Sequence, residues 1–422
     1  MEKSANLEKW KSLEEELGSR TDNAEDILSA LRELYSLYTP RLASWLGGLY
    51  DSNLGGFYYS NSARDNHGYL PDIESTSQAL NFLGSSGVIS SYEELPAWMR
   101  ERTAFFIKYL QDPYSGFFYN LQWDVELANV HPTRLARDMS AAHNVAHMLG
   151  FKLERKPEVP AEYRGILKIN DEDTLPHLRS KDSFRAYLES FDPKNDVYRL
   201  ASAVVSQHGL LLERDLVDVA YQFIERMQNT KTGLFENLEN PSVIDSYYTI
   251  SMFYMAAGKP LKHVKRAIPT ILNSLRTERV TNAPYAQHVW RASSNVIDIL
   301  RGSNDGYSKR EADEIVAEIM KSAPSMIRTT SALLSKFQKP DGSFSYNEDS
   351  SSAFSQGLPV ARCGSNEGDV NATVICTIGT SRAIFRALDL QNLYPPILSG
   401  ACLADFLGAV KPPSGMTKSN GE

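Results

Sequence analysis

Cysteine is scarce in this chain of 422 residues, which contains only Cys363, Cys376 and Cys402. No two of them have C-x-x-C spacing, so the sequence predicts neither a disulfide framework nor a cysteine-based zinc site. Long apolar runs are also missing: no stretch of about 18 apolar residues occurs, and the charged N-terminal segment lacks the apolar core of a signal peptide. The sequence therefore predicts a cytoplasmic protein with no membrane partner.

Positive charge is in deficit, because 44 Lys and Arg residues face 52 Asp and Glu residues, for a net charge of −8. This balance argues against nucleic acids and anionic membranes as partners. The glycine-rich motifs of dinucleotide and nucleotide binding and the G-x-S-x-G motif of serine hydrolases do not occur. We therefore predict neither a metal nor a cofactor, and the sequence leaves the oligomeric state open.

Four segments of the chain share one pattern. Each ends a helical stretch, turns through Asp, Asn, Pro or Lys, and reaches a glycine that is followed closely by phenylalanine. They are LYDSNLGGFYY (49–59), LQDPYSGFFYN (110–120), MQNTKTGLFEN (227–237) and FQKPDGSFSYN (337–347), with Gly56, Gly116, Gly233 and Gly342 as the turn glycines. The two later gaps are about twice as long as the first, so each has room for a degenerate copy. The candidates are the segments 192–196 and 277–285.

Each repeat turn is followed by a helical segment rich in small and apolar residues, whereas the helices before the turns are amphipathic. A helix that is apolar nearly all round is a buried one. Buried and amphipathic helices that alternate at a period of about 55–60 residues predict a closed ring of helical hairpins. We expect an all-α, (α/α)6-type toroid of about six hairpins with a central cavity, one domain over residues 1–410, and a flexible tail over 411–422.

The segments FQKPDGSFSY (337–346) and EGDVNA (367–372) resemble the repeats of protein prenyltransferase β-subunits and of squalene and terpene cyclases. This resemblance implies an α/α toroid. The catalytic motifs of those enzymes do not carry over. The D-x-D-D motif is absent, its nearest run being DEDT at 171–174, and there is neither a D-x-C pair nor a histidine after His288. Because other (α/α) barrels are glycoside hydrolases and polysaccharide lyases, those two chemistries are compared with the residues below.

Acidic residues recur where the buried helices begin. A ring of hairpins would gather these helix starts around one mouth, where two carboxylates in different environments suit glycoside hydrolysis. We predict that Glu74 and Asp245 share the acid and base roles, with Asp72 as a further catalytic acid. Asp138 and Asp369 are predicted to bind substrate. The alternative interpretation is that these acids cap their helices.

The loop RDNHGY (64–69) leads directly to Asp72 and carries a second candidate site. Arg64, Asn66, His67 and Tyr69 resemble the residues with which (α/α)-barrel polysaccharide lyases neutralise a uronate and move protons. A lyase built on Asn66, His67 and Tyr69 is therefore one alternative function. A polar surface loop that turns at Gly68 explains the same residues without catalysis.

Four further side chains are predicted to contact substrate because they lie on or next to the buried helices: His143, Tyr248, His288 and Trp290. His143 and His147 lie one helical turn apart, and a satisfied pair within the core is the alternative interpretation. Tyrosines mixed with Asn, Asp, Arg and His favour a hydroxylated ligand over a hydrocarbon. The sequence thus predicts a carbohydrate-active enzyme, a glycoside hydrolase on a small-molecule or oligosaccharide substrate. A non-catalytic or isoprenoid-binding toroid, cyclase-like or prenyltransferase-like, is the third possibility.

Overall fold

The computed structural model describes residues 2–112, 116–120, 132–153, 176–193, 195–235, 243–277, 282–303, 306–355, 358–411 and 413. Helix accounts for 65% and strand for 4%, which confirms the all-α prediction. Within the described residues, the α-helices are α1 (Glu2–Arg20), α2 (Ala24–Tyr35), α3 (Arg41–Gly48), α4 (Asn61–Arg64), α5 (Ile73–Ser86), α6 (Ala97–Tyr109), α7 (Pro132–Leu149), α8 (Lys181–Glu189), α9 (Val197–Ser206), α10 (His208–Glu213), α11 (Val217–Met227), α12 (Val243–Ala257), α13 (Val264–Thr277), α14 (Pro284–Gly302), α15 (Gly306–Ser335), α16 (Val370–Val374), α17 (Thr380–Ala387) and α18 (Cys402–Ala409).

The remaining regular elements are short. A π-helical turn, Ile375–Gly379, joins α16 to α17, so that residues 370–387 form one continuous helical stretch. Two antiparallel hairpins pair β1 (Tyr50–Asp51) with β2 (Gly56–Phe57) and β3 (Phe354–Ser355) with β4 (Leu358–Pro359). Single 3-10 turns are formed by Tyr92–Glu94, Pro176–Leu178 and Gln391–Leu393.

The ends of α5 show how local sequence sets a helix boundary here. Asp72 lies in extended backbone, and its carboxylate accepts a hydrogen bond from the Ser75 amide at 2.8 Å, which satisfies a free N–H at the helix start. Gly87 ends the helix in the left-handed region with a φ of 89°. Between these residues the helix buries an apolar face that includes Ile73, Leu80 and Leu83.

One set of helices, called here the inner row, is made of helices that contact one another in succession. The order of contact is α7, α5, α16, α17, α14, α12 and α9, with α16 and α17 belonging to the one stretch 370–387. The amphipathic helices α2 and α15 pack against each other, and α15 also contacts α14 of the inner row. Buried apolar side chains from Leu13 to Val410 form one connected cluster between the layers.

Two sequence features fall largely outside the described residues: the DEDT run at 171–174 and, except for Lys411 and Pro413, the segment 411–422. Among the helices that are described, none combines the length and the apolar character needed to cross a bilayer.

The four repeat turns share one backbone geometry. In each turn a glycine adopts a positive φ, between 72° and 93°, and its N–H donates to a carbonyl three or four residues earlier. The glycine of the first turn is Gly55 and not Gly56, which corrects the sequence assignment. Gly56 is required for another reason, since a Cβ there would lie 2.7 Å from the Phe106 ring. The left-handed glycines are Gly55, Gly116, Gly233 and Gly342.

The phenylalanine after each turn glycine holds the loop against the helices. Phe57 pairs with Tyr50, Phe118 with Gln111 and Phe344 with Gln338. In the second repeat the equivalent residue is therefore Phe118, the second of the two phenylalanines that follow Gly116. The four equivalent rings, all at most 2% exposed, are those of Phe57, Phe118, Phe235 and Phe344.

Gly55→Ala is expected to lower the free energy of unfolding by about 3 kcal/mol or more. The new Cβ would lie 2.3 Å from the Arg102 carbonyl oxygen, and the positive φ adds its own strain. Gly150→Ala is the matched control, because Gly150 has a φ of 70° and nothing within 4 Å of a Cβ. We expect the control to cost about 1–2 kcal/mol. Denaturant unfolding measures both, and equal losses would contradict the packing argument.

Candidate functional site

Two of the predicted acids cap helices of the inner row. Asp72 caps α5, and Asp369 caps α16 by accepting a hydrogen bond from the Ala372 amide at 2.7 Å. Both side chains are buried. A second hydrogen bond is equivalent in the two repeats: the Phe57 N–H donates to the Thr76 hydroxyl, and the Phe344 N–H donates to the Thr373 hydroxyl. The geometry thus assigns Asp72 and Asp369 a capping role.

Asp369 has the most unusual electrostatics of the predicted acids. Burial raises the pKa of its carboxyl to about 7, and the nearby charge of Glu367 raises it further. Hydrogen bonds from the Ala372 amide and from Ser351 lower this pKa, but by less than burial raises it. Its second oxygen, Oδ2, is buried and accepts no hydrogen bond. Asp369 is therefore a carboxyl group that holds its proton well above the usual pH range.

Asp245 and His288 form a directly bonded pair between α12 and α14. The His288 Nδ1 atom lies 2.7 Å from Asp245 Oδ1. Both side chains remain partly exposed, at 21% for the histidine and 30% for the aspartate. Tyr248, one turn after Asp245, stacks on the imidazole with ring centroids 4.7 Å apart and planes at 19°. The carboxylate and the tyrosine fix the ring and leave Nε2 as the second, chemically distinct nitrogen.

Tyr346 connects this pair electrostatically to Asp369. Burial raises the pKa of the Tyr346 hydroxyl, and the charges of Asp245 and Asp369 both add to the rise. Both acids therefore lie close enough to this phenol to affect its pKa. Burial likewise raises the pKa of Tyr248, against the lowering effect of Arg291 and Arg386, so that this phenol keeps its proton at neutral pH.

Sequence reasoning missed two arginines whose charges act on Tyr248. The Arg291 guanidinium carbon lies 5.1 Å from the centre of the Tyr248 ring. Arg386 of α17 forms an ion pair with Asp298 of α14. A usable signal was present in the sequence, because Arg291 follows His288 by three residues and three-residue spacing places side chains on one helix face.

Glu74 belongs to a different cluster from Asp245. Arg137 of α7 forms an ion pair with the Glu74 carboxylate and donates to it from two nitrogens, one of which is Nε at 3.3 Å from Oε2. Gln78 donates to Glu74 at 3.3 Å and to Asn371 of α16 at 3.1 Å. The structure thus gives the two acids predicted to act as a catalytic pair different partners, Arg137 for Glu74 and His288 for Asp245.

The polar groups of the loop at 64–69 hydrogen-bond mainly within the loop and to the backbone of neighbouring segments. Arg64 pairs with Asp65 at 2.7 Å and also donates to the Gly48 carbonyl. Asn66 Oδ1 accepts from the Gly68 amide at 3.3 Å, and Tyr69 donates to the Ala361 carbonyl at 3.2 Å. His67 is exposed. These contacts are those of a polar surface turn.

The last three predicted residues have contrasting positions. Trp290 is fully buried, and its indole N–H donates to the Thr330 hydroxyl at 2.9 Å, so it is a core residue and not a pocket wall. Asp138 is also buried, and because α7 begins at Pro132 it lies within the helix and not at the predicted helix start. His143 is exposed, with Nδ1 2.7 Å from the Met139 carbonyl oxygen one turn earlier. In the part of the chain that the structure describes, no three or more His, Cys, Asp or Glu side chains are grouped to hold a metal ion.

Comparison with family models, with curated proteins and with solved structures found no match. Functional inference therefore rests on the side chains around His288.

Proposed function

We propose that the inner row closes into an (α/α) toroid of about six hairpins, and that His288 acts at its central cavity as the general base of a carbohydrate-active enzyme. The succession of contacts from α7 to α9 supports the ring, because each helix of the row contacts the next. Partly exposed polar side chains on α12 and α14, led by Asp245 and His288, support a cavity on one face of the row.

The observation that carries the function is the 2.7 Å contact between His288 Nδ1 and Asp245. A carboxylate that accepts the Nδ1 proton fixes the tautomer in which Nε2 is free to take a proton. Tyr248 holds the ring from its face and offers a protonated hydroxyl close by. A positioned base can abstract a proton, and a protonated phenol beside it can donate one to a leaving group.

The reaction that these two groups support best is β-elimination at a glycosidic linkage, which is the reaction of polysaccharide lyases. His288 Nε2 takes a proton from a sugar ring carbon, and the electron pair left behind forms a carbon–carbon double bond. The bond between the neighbouring ring carbon and the glycosidic oxygen breaks, and the departing oxygen takes a proton from the Tyr248 hydroxyl. The proton taken up by His288 then returns to the Tyr248 oxygen through solvent. Atoms balance without a cofactor. The predicted lyase class is thus retained with different residues from those of the loop at 64–69.

Glycoside hydrolysis is the second candidate, and the pKa of about 7 for Asp369 favours it. A protonated carboxyl and a second acid near the same phenol, Tyr346, are the unlike pair that inverting and retaining hydrolases need. Asp369 would replace Glu74 as the acid, since the bidentate Arg137 contact favours the charged form of Glu74. We rank this candidate lower because Asp369 is buried and caps α16.

The test is product analysis after incubation with acidic and neutral polysaccharides. Elimination yields an unsaturated sugar that absorbs ultraviolet light, and this is the expected product. Reducing ends without absorbance would identify a hydrolase instead. Thermal stabilisation by prenyl diphosphates and by no saccharide would favour the isoprenoid-binding toroid and contradict both carbohydrate proposals.

A further inference from the structure

Arg291 is a charged side chain whose charge is not matched by a neighbouring acid. Its guanidinium lies over the Tyr248 ring, and among the described residues it forms no ion pair with a carboxylate. Two acids of the adjoining helices have other partners: Asp298 of α14 pairs with Arg386, and Asp245 of α12 contacts His288. A partly buried guanidinium without a counter-ion has lost part of its hydration without compensation.

The charge of Arg291 acts on a second guanidinium, that of Arg386. The pKa of Arg386 is lowered, first by burial and then by the positive charge of Arg291. Asp298 already neutralises Arg386, so Arg291 is the guanidinium that a bound negatively charged group would compensate. Arg291 lies over the ring of Tyr248, which stacks on His288, so a group bound by Arg291 would lie next to the proposed base.

We propose that Arg291 binds the carboxylate of an acidic sugar and so sets the substrate class of the enzyme. This inference rests on the proposed function. A proton on the carbon next to a carboxylate is removed readily only when the negative charge that develops on that carboxylate is stabilised, and a fixed guanidinium supplies this. Arginine also matches the planar, two-oxygen shape of a carboxylate better than lysine does.

The test measures binding separately from turnover. Oligomers of galacturonate, glucuronate, mannuronate and guluronate are titrated calorimetrically against the protein, each beside its methyl ester, which is the same sugar without the charge. We expect at least one free acid to bind about ten- to a hundredfold more tightly than its ester. Arg291→Gln should remove this preference while the melting temperature stays near that of the wild type.

Arg226→Gln is the matched control, because the Arg226 guanidinium also lies over an aromatic ring, that of Phe223 at 5.8 Å, but on α11. It should keep the preference. Equal binding of every acid and its ester, or an Arg291→Gln variant that still discriminates, would overturn the assignment. So would tighter binding of sulfated or phosphorylated neutral oligosaccharides than of any uronate. If His288 is not the base, the result is different: uronate binding still depends on Arg291, but no turnover depends on His288.

Discussion

His288→Gln is expected to lower turnover by roughly a hundred- to ten-thousandfold, the contribution of a positioned general base. Glutamine keeps a polar side chain of similar reach, so the Asp245 carboxylate can retain a donor, but no atom of the amide can take a proton as Nε2 does. Binding of the substrate should change far less than the rate. Steady-state kinetics on the substrate found by product analysis separates the two effects, with kcat falling and KM nearly constant.

The chain offers a matched control in His177. That ring also stacks on a tyrosine, Tyr187, with centroids 4.1 Å apart and planes at 26°, and it also contacts a side-chain oxygen, Gln207 Oε1 at 2.7 Å. His177→Gln removes a comparable set of contacts outside the proposed site and should leave kcat unchanged. If both variants lose activity equally, the loss reports folding; if His288→Gln keeps the wild-type rate, His288 is not the base.

Asp245→Asn tests how His288 is oriented. The amide can offer its N–H to Nδ1, which favours the tautomer that has the proton on Nε2 and cannot accept another. We expect a loss in kcat that approaches that of His288→Gln, and a double variant that is little worse than either single one. Additive losses would instead show that the two residues act independently.

The acids at helix starts show where sequence reasoning was limited. The pattern of Asp followed by small residues correctly places Asp72 and Asp369 at the beginning of helices. Capping and catalysis both require an acid at such a position, so the pattern alone cannot separate them. What separates them is the hydrogen bond to the amide three residues on, together with burial, and both depend on packing.

Partners across helices were the second limit. Asp245 and His288 are 43 residues apart and meet because α12 packs against α14. The sequence identified both residues as candidates but paired Asp245 with Glu74. The glycine of the first turn shows the same limit at smaller scale, because Gly55 and Gly56 are adjacent and only the backbone angle distinguishes them.

Asp369→Asn is expected to stabilise the protein above pH 7, by up to about 4 kcal/mol. The carboxyl has a pKa of about 7 in the folded protein against an ordinary value of 3.8. Each unit of difference corresponds to about 1.4 kcal/mol, which the folded state loses when the group ionises inside the protein. Asparagine cannot ionise, and its side-chain oxygen can still cap the Ala372 amide.

The pH dependence has a definite sign. Below pH 3.8 both the folded and the unfolded chain hold the proton, so Asp369 costs nothing. Between pH 3.8 and about 7 the unfolded chain releases the proton while the folded chain keeps it, so this group makes stability fall as the pH rises. Above about pH 7 both forms are ionised, and the full penalty remains constant.

Denaturant unfolding of wild type and Asp369→Asn across this range measures the difference directly. The two free energies should be close at the acid end and separate steadily toward neutral pH. Asp369→Ala serves as the control for the cap: it also removes the ionisable group, but it should lie about 1 kcal/mol below Asp369→Asn at every pH because the Ala372 amide loses its acceptor. A constant offset between wild type and Asp369→Asn, independent of pH, would show that the buried carboxyl does not hold its proton.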